Sequence, residues 1–165
     1  MIQKILRNKF IVNSLIVFSI FLLDRLSKIY VIYLDNILLG SEIFSSKFLN
    51  INLIWNEGIA FGLFSFNEDF FYNILTIIIL IIILIIFFMF LKSNGFKKYS
   101  LLMILGGALG NVFDRLFYKA VPDFIDLHIG NFHWFIFNVS DIFITMGVIF
   151  MISLEIISTN SKDKL

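Results

Sequence analysis

ILTIIILIIILIIFFMF, residues 74–90, is uncharged throughout and has a single polar side chain, Thr76. A helix rises ~1.5 Å per residue, so ~20 apolar residues cross the ~30 Å hydrocarbon layer of a bilayer, and this run with its flanks reaches that length. It reads as a membrane helix. Outward from it, three further apolar spans lie at residues 10–34, 99–117 and 135–157, with the quoted run inside a span at 70–91. The whole chain agrees: 59% of its 165 residues are hydrophobic and 18% aromatic, too little polar surface to cover a water-soluble globule.

The expected fold is an all-α integral membrane protein with four transmembrane helices and a small extracytoplasmic β-sheet subdomain and flap. Residues 1–165 form one membrane domain, and residues 35–69 form a β/flap insertion between the first and second transmembrane helices. The first span is too long for a signal-peptide core and lacks a small-residue cleavage site, so it is expected to be a retained anchor. Lys4, Arg7, Lys9, Lys92, Lys97, Lys98, Lys162 and Lys164 would fall on one side of the membrane, and only Lys47 and Lys119 on the other. The basic excess places both termini in the cytoplasm. Within the insertion, Leu49, Ile51, Leu53 and Trp55 alternate with Asn50, Asn52, Ile54 and Asn56, the period of a half-buried strand. Gly58 and Gly62 bracket Ala60 and Phe61, a turn that carries an aromatic.

Composition also excludes. A net charge of +1 offers no basic excess for nucleic acid. The absence of cysteine removes thiol nucleophiles, thiolate metal sites and disulfides. His128 and His133 lack the H-E-x-x-H pattern, no G-x-S-x-G occurs, and no phosphate-binding or dinucleotide glycine loop is present, so neither metal nor cofactor is expected.

The polar residues that remain gather at one depth. Asp24, Arg25 and Lys28 in the first span and Asn111, Asp114 and Arg115 in the third lie roughly two-thirds or more of the way across at ~1.5 Å per residue. Asn138 and Asp141 enter at the outer end of the fourth, while the second span contributes nothing polar and reads as lipid-facing support. Asp24 and Lys28 share a helix face and are expected to pair with each other or with Arg115. Asp114 reads as structural and Arg115 as facing substrate. Gly106, Gly107 and Gly110 let helices approach closely, which packing alone explains. Asn111 and Asn138 precede aspartates by three residues, where an amide orients a carboxylate or binds a substrate backbone; Asn56 and Asn138 could equally be caps or turn residues.

Asp123 and Asp141 remain the candidates for chemistry. Two carboxylates brought together do not both ionise cheaply, so one holds a proton while the other deprotonates a water, the arrangement of aspartic hydrolases. Which one carries the proton is open. Pro122 fixes the backbone entering Asp123 and suits a rigid loop that presents the side chain. The competing class is a small membrane transporter or channel component, with Asp24, Lys28, Arg115 and Asp141 along an ion or proton path. It would distribute polar groups through the full thickness, whereas here they cluster on one side.

DRLSK (residues 24–28), WNEGIAFG (55–62), GGALGNVFDR with VPDFID (106–126) and FNVSD (137–141) resemble, in order, the successive motifs of the bacterial lipoprotein signal peptidases, or signal peptidase II. The resemblance spans nearly the whole chain. It implies an aspartic endopeptidase of the bacterial cytoplasmic (inner) membrane that cleaves diacylglyceryl-modified prolipoproteins immediately before the lipidated cysteine. Its active site is expected near the outer leaflet, and the protein is expected to be a monomer among membrane lipids. The catalytic pair falls on Asp123 and Asp141. Asn56, Asn111, Arg115 and Asn138 fall on substrate-binding positions, and Asp24, Lys28, Gly58, Phe61 and Asp114 on site-supporting ones. Sensitivity to the cyclic peptide globomycin is implied as well. Lys119 stands where the family usually has glycine, Pro122 where it has a small apolar residue, and Ser140 where it has alanine.

Overall fold

The computed structural model describes residues 2–58 and 68–162. Among the described residues, four helices and four strands follow one another as α1 (Ile2–Ile37), β1 (Phe44–Ser45), β2 (Leu49–Asn56), α2 (Glu68–Lys92), α3 (Phe96–Tyr118), β3 (Val121–Ile129), β4 (Phe132–Phe137) and α4 (Val139–Lys162). Of the helices among the described residues, three stretches are long and apolar enough to cross a membrane, Tyr72–Lys92, Phe96–Tyr118 and Val139–Ser158. The 36-residue α1 has the length as well, but Asp24, Arg25 and Lys28 interrupt its apolar run. The protein is thus a helical membrane protein with three candidate spans, a fourth long helix and a small antiparallel sheet.

α3 lies at the centre and packs against α1, α2 and α4. Leu101, Leu102, Ile104, Leu105, Ala108 and Val112 on α3 are all buried, whereas Ile77, Ile78, Ile81 and Ile82 on α2 and Ile149, Phe150 and Ile152 on α4 are exposed. An apolar exterior of this kind belongs in lipid. Small residues on α3 bring its neighbours close. A Cβ on Gly106 would run into Ile20 of α1, and one on Gly107 into the Ser140 carbonyl and Ile144 of α4. Gly110 faces both Asp24 and Ser140.

The sheet runs β1-β2-β3-β4, each pair antiparallel. β2 is the strand expected from its alternation, but its burial does not alternate, because a bulge between Ile51 and Ile54 shifts the register partway along. Half of the sheet comes from outside residues 35–69, since β3 and β4 lie between α3 and α4. Asp123 therefore sits on a strand rather than on a loop, and residues 135–137, expected within the fourth span, close β4 instead. β3 and β4 are joined by Gly130 and Asn131, with a positive φ of 59° at Gly130 alone, the arrangement of a type II′ turn. Pro122 pairs with Trp55, and β4 joins β3 only from Ile125 onward, so the residue without an N–H lies where the strand has one neighbour. Ala60, Phe61 and Gly62, the core of the expected flap, lie outside the described residues.

Candidate active site

Sequence order brings three helices and one sheet to a single polar cluster. At its base, α1 supplies Asp24, Arg25 and Lys28, and α3 supplies Asp114. Arg25 Nη1 lies 2.6 Å from Asp114 Oδ1 and Arg25 Nη2 lies 3.0 Å from Asp24 Oδ2. Lys28 Nζ is 2.7 Å from Asp114 Oδ2 and 2.9 Å from Asp24 Oδ1. Two cations and two anions thus close a neutral square, with Asp24, Lys28 and Asp114 fully buried. Removing one member of such a set leaves a buried charge uncompensated, at about 3–5 kcal/mol. The expected pairing of Asp24 with Lys28 is present; the second cation on Asp24 is Arg25, not Arg115, the second anion on Lys28 is Asp114, and Arg25 is a member that the sequence reading left unassigned.

α4 is docked on this square. The Ser140 N–H donates to Asp24 Oδ1 at 3.0 Å, which satisfies one of the free donors at the helix start. Asn138 is the N-cap: its Oδ1 accepts from the Asp141 N–H, while its own N–H donates to Asp141 Oδ2, both at 3.1 Å. Its remaining amide group donates to Asp123 Oδ1 at 2.6 Å. One residue therefore caps α4 and holds a carboxylate from each side of the site.

Asn56 repeats the pattern from β2. Its Oδ1 accepts from the Gly58 N–H at 2.8 Å, and its Nδ2 donates to Asp123 Oδ2 at 2.8 Å. Asn111 does so from α3: Oδ1 accepts from Lys28 Nζ at 2.9 Å, and Nδ2 donates to Asp141 Oδ1 at 2.8 Å. Both oxygens of Asp123 and both oxygens of Asp141 accept N–H bonds. Asp123 is buried and Asp141 half-buried. Burial pushes the Asp123 carboxyl above the usual carboxylate range; the Asn56 and Asn138 donors pull it back, the Asp141 charge pushes it further up, and Lys28 pulls it down.

Arg115 lies beside the cluster. A Cβ on Gly58, whose φ is 82°, would lie 2.6 Å from Leu75 Cδ2 and 2.9 Å from Arg115 Nη1, so only glycine fits there. Among the described residues, Arg115 Nε and Nη1 are buried with no hydrogen-bond acceptor. The guanidinium carbon stands 5.8 Å from the Tyr72 ring centroid, and the Tyr72 hydroxyl donates to the Arg115 carbonyl at 3.0 Å. α2, read as lipid-facing support, thus supplies one side chain that fixes Arg115. The signal for Tyr72 was an aromatic with a polar tip at the end of a span. Phe61 lies outside the described residues.

From Asp141 an apolar groove of about 570 Å³ runs along α4 and the sheet, lined among others by Phe137, Ile142, Met146, Trp134 and His128. A carboxylate at the head of an apolar groove, with a second carboxylate linked to it through Asn138, can activate a water against a chain laid along the groove.

The signal peptidase (SPase) II family, peptidase family A8, matches residues 16–157. The chain is 47% identical over 160 residues to a lipoprotein signal peptidase of Pelagibacter ubique (strain HTCC1062), covering 97% of this chain and 96% of that one. It is 38% identical over 150 residues to a lipoprotein signal peptidase of Anaplasma phagocytophilum (strain HZ), covering 90% and 94%. A solved structure described as "Bacterial membrane enzyme structure by the in meso method at 2.3 A resolution" superposes with a TM-score of 0.73 at 32% identity, covering 92% of this chain and 91% of that one. The transporter reading finds no support among these relatives. The chain belongs to the signal peptidase II family, the bacterial membrane-integral lipoprotein signal peptidases.

Proposed function

We propose that this protein is an intramembrane aspartic endopeptidase that removes the signal peptide from diacylglyceryl-modified prolipoproteins, cutting immediately before the lipidated cysteine. The observation that carries this reading is the pairing of Asp123 and Asp141 through Asn138, whose side chain donates to one carboxylate and whose backbone donates to the other. In this reading Asp123 and Asp141 are the catalytic pair, Asn56, Asn111, Arg115 and Asn138 contact substrate or fix the carboxylates, and Asp24, Lys28, Gly58, Phe61 and Asp114 support them.

We assign the shared proton to Asp123, the more buried carboxyl, and the role of base to Asp141. Water attacks the scissile carbonyl carbon and gives a proton to Asp141, while Asp123 protonates the carbonyl oxygen. Collapse of the tetrahedral intermediate breaks the C–N bond, with Asp141 protonating the departing amine and a hydroxyl returning its proton to Asp123. No covalent enzyme intermediate is needed. The Nε and Nη1 groups of Arg115, buried and without an acceptor among the described residues, suit a substrate carbonyl.

The proposed layout has four spans, with α1 as the first and both termini cytoplasmic. Residues 35–69 are extracytoplasmic, and the site lies near the outer leaflet. There the lipid chains of a substrate stay in the bilayer while its peptide bond reaches the carboxylates. The enzyme is a monomer and is inhibited by globomycin. The test is cleavage of a diacylglyceryl-modified prolipoprotein by detergent-purified wild type, Asp123→Asn and Asp141→Asn, with folding of each variant checked. Both substitutions are expected to abolish cleavage before the lipidated cysteine. Activity surviving in a folded variant would mean that the dyad is misassigned.

A further inference from the structure

Asn56, Asn111 and Asn138 each turn an amide N–H₂ toward a dyad carboxylate, and each does so because its oxygen is already held by a donor. In Asn56 the holder is the Gly58 backbone N–H, and in Asn138 it is the Asp141 backbone N–H. In Asn111 the holder is a side chain, the Lys28 ammonium at 2.9 Å. An ammonium has three N–H donors and no acceptor, so it tolerates only the oxygen end of an amide. Lys28 has three acceptors, Asp24, Asp114 and Asn111, and it is fully buried. Among the described residues, Lys28 is the donor that holds the oxygen end of Asn111. Its far end, Asp141 Oδ1, is a carboxylate that repels an amide oxygen when ionised.

We infer that Lys28 is a positioning residue for Asp141: by holding Asn111 Oδ1, it keeps the Asn111 N–H₂ on the carboxylate that takes the proton from water. This rests on the aspartic-peptidase reading of Asp123 and Asp141. Without the ammonium, Asn111 loses the donor that fixes its oxygen, and once Asp141 has taken the proton from water the Asn111 oxygen competes for the place facing it. Asp141 then lacks one of its two N–H donors during turnover, whereas the groove and Arg115 are untouched. The effect falls on kcat and not on KM.

The test compares cleavage kinetics of wild type with Lys28→Met, Asn111→Ala, the two combined, and Lys28→Met combined with Asp24→Asn. The last combination restores charge balance with Arg25 and Asp114 and leaves an oxygen at position 24 for the Ser140 N–H, yet does not restore the hold on Asn111. A hydrogen bond to a charged group corresponds to roughly ten- to hundredfold in rate, so Lys28→Met is expected to lower kcat by about that factor with KM within about twofold. The charge-balanced variant should melt near wild type and stay slow, and Lys28→Met should add little to Asn111→Ala. Recovery of wild-type kcat in the charge-balanced variant would overturn the inference, as would multiplying effects of Lys28→Met and Asn111→Ala. An unfolded charge-balanced variant would overturn it too, since Lys28 would then serve the fold. Failure of the underlying reading is seen separately, as cleavage that survives Asp141→Asn.

Discussion

Asp123 shows how one residue is pulled two ways. Burial favours its neutral form, while the amides of Asn56 and Asn138 favour the charged one, and burial is the larger effect. Its carboxyl is therefore raised in the folded chain and ordinary in the unfolded one. Below the ordinary carboxylate range both states hold the proton and folding carries no penalty; as pH rises through the raised value, the folded state must ionise a buried group and stability falls. Asp123→Asn removes that loss. The difference in melting temperature between Asp123→Asn and wild type should shift in favour of the variant between acid and neutral pH, whatever its value at the acid end. A difference that stays flat with pH would show that the carboxyl is not raised. The candidate residues were legible because charge and amide groups are scarce in an oily chain, and each had few alternatives. Tyr72 was not, since a lone aromatic at a span end has many uses, and Arg25 was not, since nothing in the spacing separates its partners from those of Lys28.

At the scale of elements, the helices were easier to read than the strands. An uncharged run such as residues 74–90 has one physical solution in a bilayer, whereas FHWFIF in β4 is apolar on both parities and merges with the apolar run that follows Asn138. The boundary was carried by a cap, Asn138, whose spacing to Asp141 is that of a capping box. Gly130 and Asn131, a two-residue hairpin signal between two apolar runs, mark the other end of β4. Pro122 and two aspartates made β3 resemble a loop, and its place beyond the reach of β4 is what allows a proline there. Lys119 ends α3 in the left-handed region, with φ 57° and ψ 17°, where glycine is unstrained. Lys119→Gly should stabilise the folded protein by up to about 1 kcal/mol, measured as the midpoint of thermal unfolding in detergent. An unchanged or lowered midpoint would show that the contacts of the lysine side chain outweigh the backbone strain.

At the scale of the whole molecule, the layout proposed for the membrane is open to direct mapping, because the chain has no cysteine of its own. Single cysteines at Ser41 and Asn131 should react with an impermeant thiol reagent in intact spheroplasts, and one at Asn94, between α2 and α3, only after permeabilisation. The reverse pattern would invert the topology. The number of spans was legible only in part: α1 has the length, but its charges are those of the buried square, and sequence alone does not say whether a charge faces lipid or a neighbouring helix.

The start of α4 rests on Asp24, 116 residues earlier in the chain, and Asp123 is held by Asn56, 67 residues earlier. No piece of the protein that a ribosome has released before α4 contains both carboxylates in register. With Asp123 and Asp141 as the proposed catalytic pair, a nascent chain therefore lacks activity until its last helix has come to rest on its first.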